Sequence, residues 1–491
     1  MENLLRFSYN AGLFDFVASY LMEYLMLSWN ELLADSRRKD KGAPSGGTEF
    51  SGRYEIERDY DRILFAAPTR RLADKTQVYP LDKNDSVRNR LTHSHEVSAL
   101  ARSIGLRLVY EKREIFAGIE SEAYLQRSVP ALLAAIGLVH DLGNPPFGHQ
   151  GEYAIQDWFK TNQETVFADA PEDSHDFVNF DGNAQTVRLV TRLQLLNDSF
   201  GLNLTYATLA ALIKYPVGTG ESDSGKWKKQ GFFKSEKDIV EEVWGVTGLQ
   251  SGVRHPLTYV MEACDDIAYS VLDAEDTVKK GLASYYDLIR FLEKSCGDDP
   301  VSIKVVSQAR AKSKDFEDAS LSPQELNDCA MQMFRVYAIT AMVNAVVDKF
   351  SELADLYLAR NCTYKGIIAE TEAGLLCKVL KKFDYAYGFR HKSVLELELK
   401  GNGYIKRVMD MLWVGIHGRL TKAHGSQSPF GKYVYSRISE NYRRVFEDPE
   451  NLLSAPYKEA QLLADSVSGM TDSYLVSLHD ELSSFYERHC S

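Results

Sequence analysis

The sequence predicts a mostly α-helical protein, with a large helical body followed by a smaller C-terminal region that is α-rich or α+β. Apolar residues recur at three- and four-residue spacing from about 86 to 120, from 130 to 160 and from 325 to 385, which is the period of helices with a buried face. Short β-branched runs separated by turns, the pattern of an all-β domain, are lacking. Residues 386–434 are the hardest to assign, and we expect any short strands there.

The composition is that of an ordinary globular protein and narrows the choice of partners. Of the 491 residues, 44% are hydrophobic and 26% are charged, and the formal net charge is −12. This acidic balance argues against a protein whose main task is to coat nucleic acid or an anionic membrane. The six cysteines are scattered without a CxxC pair, which favours a reducing, cytoplasmic location over a disulfide framework or a thiolate zinc site.

The first 52 residues are expected to form a separate N-terminal segment. Residues 1–36 have helical patterning, and residues 37–52 are charged and then rich in Gly, Pro and Ser, as in a flexible linker. The apolar stretch 11–33 is interrupted by three acidic residues and lacks a basic start or a cleavage site. We therefore expect an amphipathic helix there, and neither a signal peptide nor a membrane span.

A candidate catalytic centre lies at the end of the apolar stretch 129–139. Pro130 suits the first turn of a helix, and the side chains that follow are almost all apolar or Gly, so this helix is expected to be buried on all sides. His140 and Asp141 stand at its end, before Gly and Pro residues that stop the helix. An ionised carboxylate in such a place is costly unless it is paired or binds a metal.

Other residues of metal-ligand type lie far away in the sequence. His93 and His95 are upstream, and Asp265, Tyr269 and Asp273 are spaced four apart, so one helix face presents all three. Imidazole and carboxylate ligands together suit hard divalent ions such as Mn, Mg or Fe. On spacing alone, a metal site and a purely structural role remain equally supported.

Seven sequence blocks, in order, resemble the deoxyguanosine triphosphate triphosphohydrolase (dGTPase) family of the HD-domain metal-dependent phosphohydrolases. The blocks are KTQVYPL at 75–81, RLTHS at 90–94, HDLGNPPFGHQGE at 140–152, FDGNAQ at 180–185, KYP at 214–216, EACDDIAY at 262–269 and SGMTD at 468–472. The resemblance implies one divalent metal ion per subunit, with Mn or Mg favoured and Fe, Co or Ni possible. Its implied ligands are His93, His140, Asp141 and Asp265, and His95 is expected to point elsewhere.

The resemblance also divides the chain. It implies an HD phosphohydrolase domain over residues 53–300, after the N-terminal segment 1–52. Residues 301–491 then form a mostly helical region that completes the nucleoside pocket and makes oligomer contacts. Residues 1–50 do not resemble the usual opening of the family, so their role stays open.

By the same resemblance, His149 and Glu152 are the catalytic pair, and their three-residue spacing places them on one helix face. An alternative for His149 is a plain helix cap. The residues implied to contact substrate run from the phosphates to the base. At the phosphates they are Lys214, Tyr215 and Lys229, with Tyr269 and Asp273, and Arg90 one turn before His93. Asn183 also belongs to the set, and its alternative role is a helix cap. Near the nucleoside they are Gln77 and Val78. At the base they are Phe389 and Glu398, where Phe389 could equally be a core aromatic.

The implied reaction is hydrolysis at the α-phosphorus of dGTP, which releases the deoxynucleoside and triphosphate. An arginine seen near the base in the family has no clear counterpart around 421–425, so other dNTPs could also be substrates. Homo-oligomers, most simply hexamers, are implied as well. The alternatives are a promiscuous dNTPase activated by a bound nucleotide, a nucleotide or single-stranded-DNA sensor that uses the same pocket, and an HD-type phosphodiesterase, which would leave the lysine loop at 226–234 unexplained.

Overall fold

A computed structural model describes residues 26–40, 52–81, 84, 86–194, 199–220, 227–317, 321–362 and 364–489. Among these residues the protein is helical, and extended backbone pairing is limited to isolated bridges such as Thr76 with Asn89. Most of the N-terminal helix and linker expected over 1–52 lies outside the described residues. The mostly α fold class is confirmed.

Twelve of the described α-helices precede residue 280. They are α1 Trp29–Leu32, α2 Glu55–Leu64, α3 Ala67–Arg71, α4 Arg90–Glu111, α5 Glu122–Val139, α6 Gly148–Thr161, α7 Gln163–Val166, α8 His175–Val178, α9 Gly182–Arg188, α10 Tyr206–Leu212, α11 Lys237–Thr247 and α12 Pro256–Lys279.

The remaining described helices follow from residue 285. They are α13 Tyr285–Cys296, α14 Pro300–Glu317, α15 Pro323–Glu352, α16 Ala354–Leu358, α17 Gly374–Phe383, α18 Lys392–Ile416, α19 His424–Gln427, α20 Pro429–Arg437, α21 Glu440–Glu447, α22 Ala455–Ser468 and α23 Asp472–His489. A π-helical turn, Asp384–Phe389, joins α17 to the segment before α18.

The close contact between α4 and α5 builds the centre of the body. A Cβ on Gly137 of α5 would lie 2.8 Å from the Cα of Ser98 on α4, so only glycine lets the two backbones come this near. The Ser98 hydroxyl donates to the Ala134 carbonyl across the same contact, at 2.7 Å. This packing sets the end of α5, where His140 lies, beside the start of α4, where His93 lies.

The expected start of α5 at Pro130 is wrong. The helix begins at Glu122, eight residues earlier, with Ser121 as its N-cap, and Pro130 lies in its interior. Proline in a helix interior costs a hydrogen bond and usually kinks the helix. The side chains from Val129 to Val139 are nonetheless largely buried as expected, because α4 covers this part of the helix.

The long helix α15 is apolar enough to cross a membrane by length and composition, with a mean hydropathy of 1.3 in its best window. It packs against α12 and α14. Phe334, Met342 and Phe350 on this helix are fully buried in the hydrophobic core. Core helices pass the same composition test, and these contacts account for its apolar face.

The described C-terminal region is helical. The expectation of short strands within 386–434 is wrong, because α18 occupies Lys392–Ile416. The helices α22 and α23 return to the body. Asp465 of α22 is buried and accepts two hydrogen bonds from the buried Arg188 guanidinium of α9, at 2.8 and 2.7 Å. This ion pair ties the C-terminal region to α9 in the body.

The segment before the body is also packed, in contrast to the linker expected from residue 37. Arg37 is 4% exposed, and its guanidinium donates to the carboxylates of Glu55 and Asp59 at 2.9 and 2.7 Å. Trp29 donates from its indole N–H to the carbonyl of Ile115 at 2.8 Å. Residues 26–40 are therefore part of the body.

Candidate active site

Three predicted metal ligands converge at the junction of α4, α5 and α12. The Nε2 atom of His93 lies 3.2 Å from Asp265 Oδ1, and the Nε2 atom of His140 lies 3.6 Å from the same oxygen. The ligand atoms of the three residues all lie within 4.8 Å of one another. Residues that are 172 positions apart in sequence thus form one compact donor set.

The surroundings of His140 fit a divalent metal. Its Nδ1 atom lies 2.7 Å from the carbonyl oxygen of Gly137, so Nδ1 donates there and Nε2 is the nitrogen that would face a metal ion. That Nε2 atom is buried and has no hydrogen-bond partner among the described residues. Burial opposes the charged form of this imidazole, but the carboxylates of Asp141 and Asp265 outweigh it and raise the pKa of His140 to about 9. Such a negative environment attracts a cation.

Asp141, the fourth predicted ligand, lies at the edge of this cluster. Its Oδ1 atom is 3.5 Å from His140 Nε2. Arg90 donates to Oδ2 and the Asn144 amide donates to Oδ1, both at 2.5 Å. Burial opposes the ionised form, but Arg90 and the histidines outweigh it and lower the pKa of Asp141. The carboxylate is therefore ionised and held in one orientation.

Lys75 and Asp472 hold the turn that follows Asp141. The Lys75 ammonium donates to the carbonyls of Asn144 and Ser468, at 2.6 and 2.8 Å. Asp472 accepts from the backbone N–H groups of Thr76 and Phe147, at 2.9 and 3.0 Å. The KTQ block and the SGMTD block, which are nearly 400 residues apart, therefore act together to support the HD turn.

His149 and Glu152 form the pair that the helical spacing predicts. His149 Nδ1 lies 2.9 Å from Glu152 Oε2, and the other Glu152 oxygen accepts the Gly182 N–H at 2.8 Å. Glu152 is buried, whereas the His149 side chain is 72% exposed. Burial opposes ionisation of Glu152, but His149 and Lys229 outweigh it and lower the pKa of the carboxyl. An ionised Glu152 fixes the tautomer of His149 and leaves Nε2 free to exchange protons.

The basic side of the site comes from the loop before α11. Lys229 is half-exposed, and its ammonium lies 2.8 Å from Asp181 and 4.0 Å from Glu152. Asp181 is the N-cap of α9, since its carboxylate accepts the Asn183 N–H at 2.8 Å. The alternative role of Asn183 as the cap is therefore wrong, and its side-chain amide instead donates to Asp181 at 2.7 Å.

Lys214 connects the metal cluster to a second cationic group. Its ammonium lies 3.4 Å from Asp265 Oδ2 and 3.9 Å from Glu262. Arg254, buried and only two residues before α12, donates to the Lys214 carbonyl at 2.7 Å and to Glu262 at 2.6 Å. Its guanidinium also lies 6.0 Å from the ring centre of Tyr215. Arg254 thus positions both Lys214 and Tyr215.

Away from the metal cluster, α12 leads to an aromatic and acidic region. Tyr269 lies one turn beyond Asp265, and its ring centre is 5.7 Å from that of Phe389. Asp273, one turn further, is buried, and one of its oxygens has no hydrogen-bond partner among the residues that the structure describes. Burial raises the pKa of Asp273 well above the usual range. Phe389 therefore contacts Tyr269, which is a predicted substrate-binding residue. The two helical turns after Asp265 place this region away from the predicted metal ligands.

For the other residues expected near the nucleoside, the structure gives mainly their burial. Gln77 and Val78 are half-buried beside the Thr76–Asn89 bridge, and the buried Gln77 side-chain oxygen has no hydrogen-bond partner in the described part of the chain. Glu398 on α18 is half-buried, and burial raises its pKa. His95 is exposed, whereas His93 is buried.

Sequence reasoning did not assign several residues that build the site. Lys75 and Asp472 stand in the motif blocks, so a search for the role of each block residue could have found them. Arg254 carries no such signal, because only the fold brings it to Lys214. Asp384 in the turn before Phe389 is also buried next to the Asp273 region, and nothing in its local sequence marks it.

Comparison with known proteins finds a matching domain family and relatives that cover most of the chain. Residues 90–181 match the HD domain family. The chain is 34% identical over 470 residues to the deoxyguanosinetriphosphate triphosphohydrolase-like protein of Listeria monocytogenes, covering 93% of this chain and 99% of that protein. It is 32% identical over 467 residues to the probable deoxyguanosinetriphosphate triphosphohydrolase of Pseudomonas aeruginosa, covering 86% and 91%. It is also 28% identical over 486 residues to the deoxyguanosinetriphosphate triphosphohydrolase of Serratia proteamaculans, covering 87% and 95%.

Proposed function

This chain belongs to the deoxyguanosinetriphosphate triphosphohydrolase family, and on that premise we propose that it hydrolyses dGTP to deoxyguanosine and inorganic triphosphate. The observation that carries the proposal is the convergence of His93, His140 and Asp265 into one donor set, flanked by the His149–Glu152 pair. Residues that can bind a divalent metal, placed beside an oriented imidazole, are the groups that a phosphohydrolase needs. The protein is an enzyme, and its substrate and products are what we propose.

One divalent ion, Mn or Mg by preference, would be held by His93, His140, Asp141 and Asp265, and Fe, Co or Ni could replace it. When bound, such an ion polarises a phosphate oxygen and lowers the pKa of water. The buried, unpartnered Nε2 atom of His140 supports this assignment. Arg90 and Asn144 keep the Asp141 carboxylate ionised and oriented toward the cluster.

The reaction breaks the bond between the α-phosphorus and O5′ of the sugar and forms a bond from the α-phosphorus to the oxygen of water. One proton must leave the water and one must reach O5′. His149 is the group proposed to exchange protons with the reacting atoms, because its Nε2 atom is free and its ring is exposed. The buried Glu152 stabilises the imidazolium that forms when His149 takes up a proton.

The triphosphate is proposed to bind on the cationic side. Lys229 and Lys214 supply ammonium groups, Tyr215 supplies a hydroxyl, and Asn183 and Arg90 supply further donors. Lys229 is half-exposed and its ammonium is paired with Asp181. A bound phosphate group could accept a hydrogen bond from this ammonium in place of Asp181. In a chain with a net charge of −12, a local set of cations is a more specific sign of a site for a polyanion.

The nucleoside is proposed to lie along α12 beyond the metal. Asp273 stands eight residues after Asp265, about 12 Å along the helix axis. Asp273 and Tyr269 offer oxygen atoms and no cation, so they fit a sugar hydroxyl better than a phosphate. Gln77 and Val78 flank the sugar.

Phe389 is proposed to stack on the base, and Glu398 to accept from the N–H groups of guanine. Without a matching arginine around 421–425, guanine is preferred over other bases and not strictly required. Hydrolysis of other dNTPs follows from this arrangement as a weaker activity.

The same premise covers assembly and location. We propose a homo-oligomer, most simply a hexamer, in the cytoplasm and without membrane attachment. The six cysteines of the sequence are scattered without a CxxC pair, which suits a reducing compartment. Single-stranded DNA is a possible further ligand, and binding that weakens steeply with salt would reveal it.

Product analysis by anion-exchange chromatography tests the proposal. The purified protein is incubated with Mn²⁺ and each dNTP, singly and in mixtures, beside the metal-ligand variant His140→Ala. We expect deoxyguanosine and triphosphate from dGTP alone, and neither from the variant. Release only from mixtures would replace the proposal with a nucleotide-activated dNTPase, and a fully active variant would rule out the metal cluster as the catalytic centre.

A further inference from the structure

A pair of buried carboxyl groups lies beyond the metal cluster. Asp273 on α12 is 1% exposed, and Asp384 at the start of the turn Asp384–Phe389 is fully buried. One oxygen of Asp273 and both oxygens of Asp384 have no hydrogen-bond partner among the described residues. The turn packs directly on α12, where Tyr79 and Thr277 share a hydrogen bond beside Gly388.

Two neighbouring buried carboxyl groups cannot both be ionised without a large cost, because each is desolvated and repels the other. Burial and then Asp273 raise the pKa of Asp384 well above its usual range, and burial and then Asp276 do the same for Asp273. A protonated carboxyl group differs from a carboxylate in that it offers one O–H donor. The buried Asp273 oxygen that has no partner among the described residues could accept a hydrogen bond from such a donor.

We infer that Asp384 is a positioning residue for Asp273. Its carboxyl group stays protonated at neutral pH, and the O–H donates a hydrogen bond, directly or through one water, to the Asp273 oxygen that has no other partner among the described residues. The other Asp273 oxygen is then held in one orientation. This inference rests on the proposed function, in which Asp273 receives a hydroxyl of the deoxyribose. Asp384 thereby sets how well the site recognises the 3′-hydroxyl without itself touching substrate.

The position of Asp384 gives the pair a second effect. The turn that begins with Asp384 ends with Phe389, whose ring contacts Tyr269. A hydrogen bond between the two carboxyl groups therefore joins the base-stacking side chain to the helix that carries the sugar contacts. Ionisation of both groups would separate the turn from α12 and disturb both contacts together.

Other titratable groups face the pair from every element that packs against it. From α12 they are Asp265, Tyr269 and Asp276, from α4 Glu96, from α17 Cys377 and Lys381, and from the segment before α4 Tyr79 and Arg88. Arg88 is already engaged by Glu275 and Asp276, and Lys381 by Asp266. Among the described residues neither cation forms an ion pair with Asp384, and the charge of Lys381 only partly opposes the rise in the pKa of this carboxyl.

The test compares Asp384→Asn, which keeps a donor but cannot ionise, with Asp384→Ala, which has no donor. Kinetics with dGTP and with its 3′-deoxy analogue are measured between about pH 6 and about pH 9. We expect Asp384→Ala to raise the KM for dGTP about tenfold with little change in kcat, and to affect the 3′-deoxy analogue far less. Asp384→Asn should keep the wild-type KM at neutral pH and lose the rise in KM that the wild type shows at alkaline pH.

A matched control is Asp59→Asn, which changes an equally buried aspartate whose oxygens are satisfied by Arg37 and Thr205. It should lower thermal stability and leave the pH dependence of KM unchanged. Equal losses for dGTP and its 3′-deoxy analogue in Asp384→Ala would overturn the inference, and so would a similar KM in the Asn and Ala variants. Either result would mean that Asp384 only stabilises the fold.

Infrared difference spectroscopy supplies a readout that does not need turnover. At neutral pH, wild type minus Asp384→Asn should show the carbonyl stretch of a protonated carboxylic acid. Its absence would refute the inference even if dGTP is hydrolysed. If the band is present but no dNTP is hydrolysed, the proposed function fails while the protonated state of Asp384 stands, so the two failures can be told apart.

Discussion

The pairing of His149 with Glu152 leads to the most specific prediction. Replacing Glu152 with Gln keeps the size of the side chain and one acceptor oxygen, which can still receive the Gly182 N–H. The hydrogen bond to His149, 2.9 Å in the wild type, loses its negative charge. The amide N–H₂ of Gln favours the opposite imidazole tautomer, so Nε2 would carry the proton instead of a free lone pair.

A hydrogen bond to a charged group contributes about 1.5–3 kcal/mol. Because the His149 side chain is 72% exposed, solvent screening places the effect in the lower part of that range. A loss of about 2 kcal/mol in the transition state corresponds to about a 30-fold lower kcat. The KM for dGTP and the metal content should change little, since the bond lies outside the cluster formed by His93, His140 and Asp265.

The chain contains a matched control for this variant. Glu459 is also buried, lies 3.0 Å from the Nδ1 atom of the exposed His417, and accepts the Gly418 N–H at 2.8 Å. Steady-state kinetics of Glu152→Gln and Glu459→Gln should therefore differ sharply, with full kcat only in the second. If Glu152→Gln kept kcat within about threefold of wild type, the assignment of His149 as the proton-transferring group would be refuted.

Three further predictions follow from the same site. The His140→Ala variant should lose its bound divalent ion, measured by elemental analysis against about one per chain in the wild type. Lys229→Met should raise the KM for dGTP about tenfold, with a smaller effect on kcat, and an unchanged KM would remove Lys229 from the phosphate site. Burial, and then Arg90, lower the pKa of Lys75 from 10.5 to about 7, so the folded protein binds this proton less tightly than the unfolded chain. Stability from this group therefore increases as pH rises from about 7 toward 10.5, and the difference in melting temperature between wild type and Lys75→Met should grow over that range.

Local patterns predict well those parts of the protein in which neighbours in sequence are neighbours in space. The helical class follows from apolar spacing, and the contact between His149 and Glu152 follows from one helical turn. The meeting of His93, His140 and Asp265 could not be worked out from spacing, because it depends on the packing of three helices. It was reached through the resemblance of the flanking blocks, which carry that packing information implicitly.

The errors have a common cause. Pro130 suggests a helix start by its local chemistry, but the surrounding packing keeps it inside α5. Arg37 stands in a charged stretch typical of a linker, but two carboxylates from α2 bind it. Asn183 suggests a cap, but Asp181 is the residue that accepts the N–H groups. In each case contacts distant in sequence, or a competing neighbour, override the local preference.

The central claim is that water attacks the α-phosphorus, and an isotope experiment tests it most directly. The protein, loaded with Mn²⁺, hydrolyses dGTP in water enriched in oxygen-18, and the products are separated and weighed by mass spectrometry. Attack of water at the α-phosphorus predicts one labelled oxygen in the triphosphate and none in the deoxyguanosine. Label in the deoxyguanosine, or release of dGMP with pyrophosphate, would contradict it.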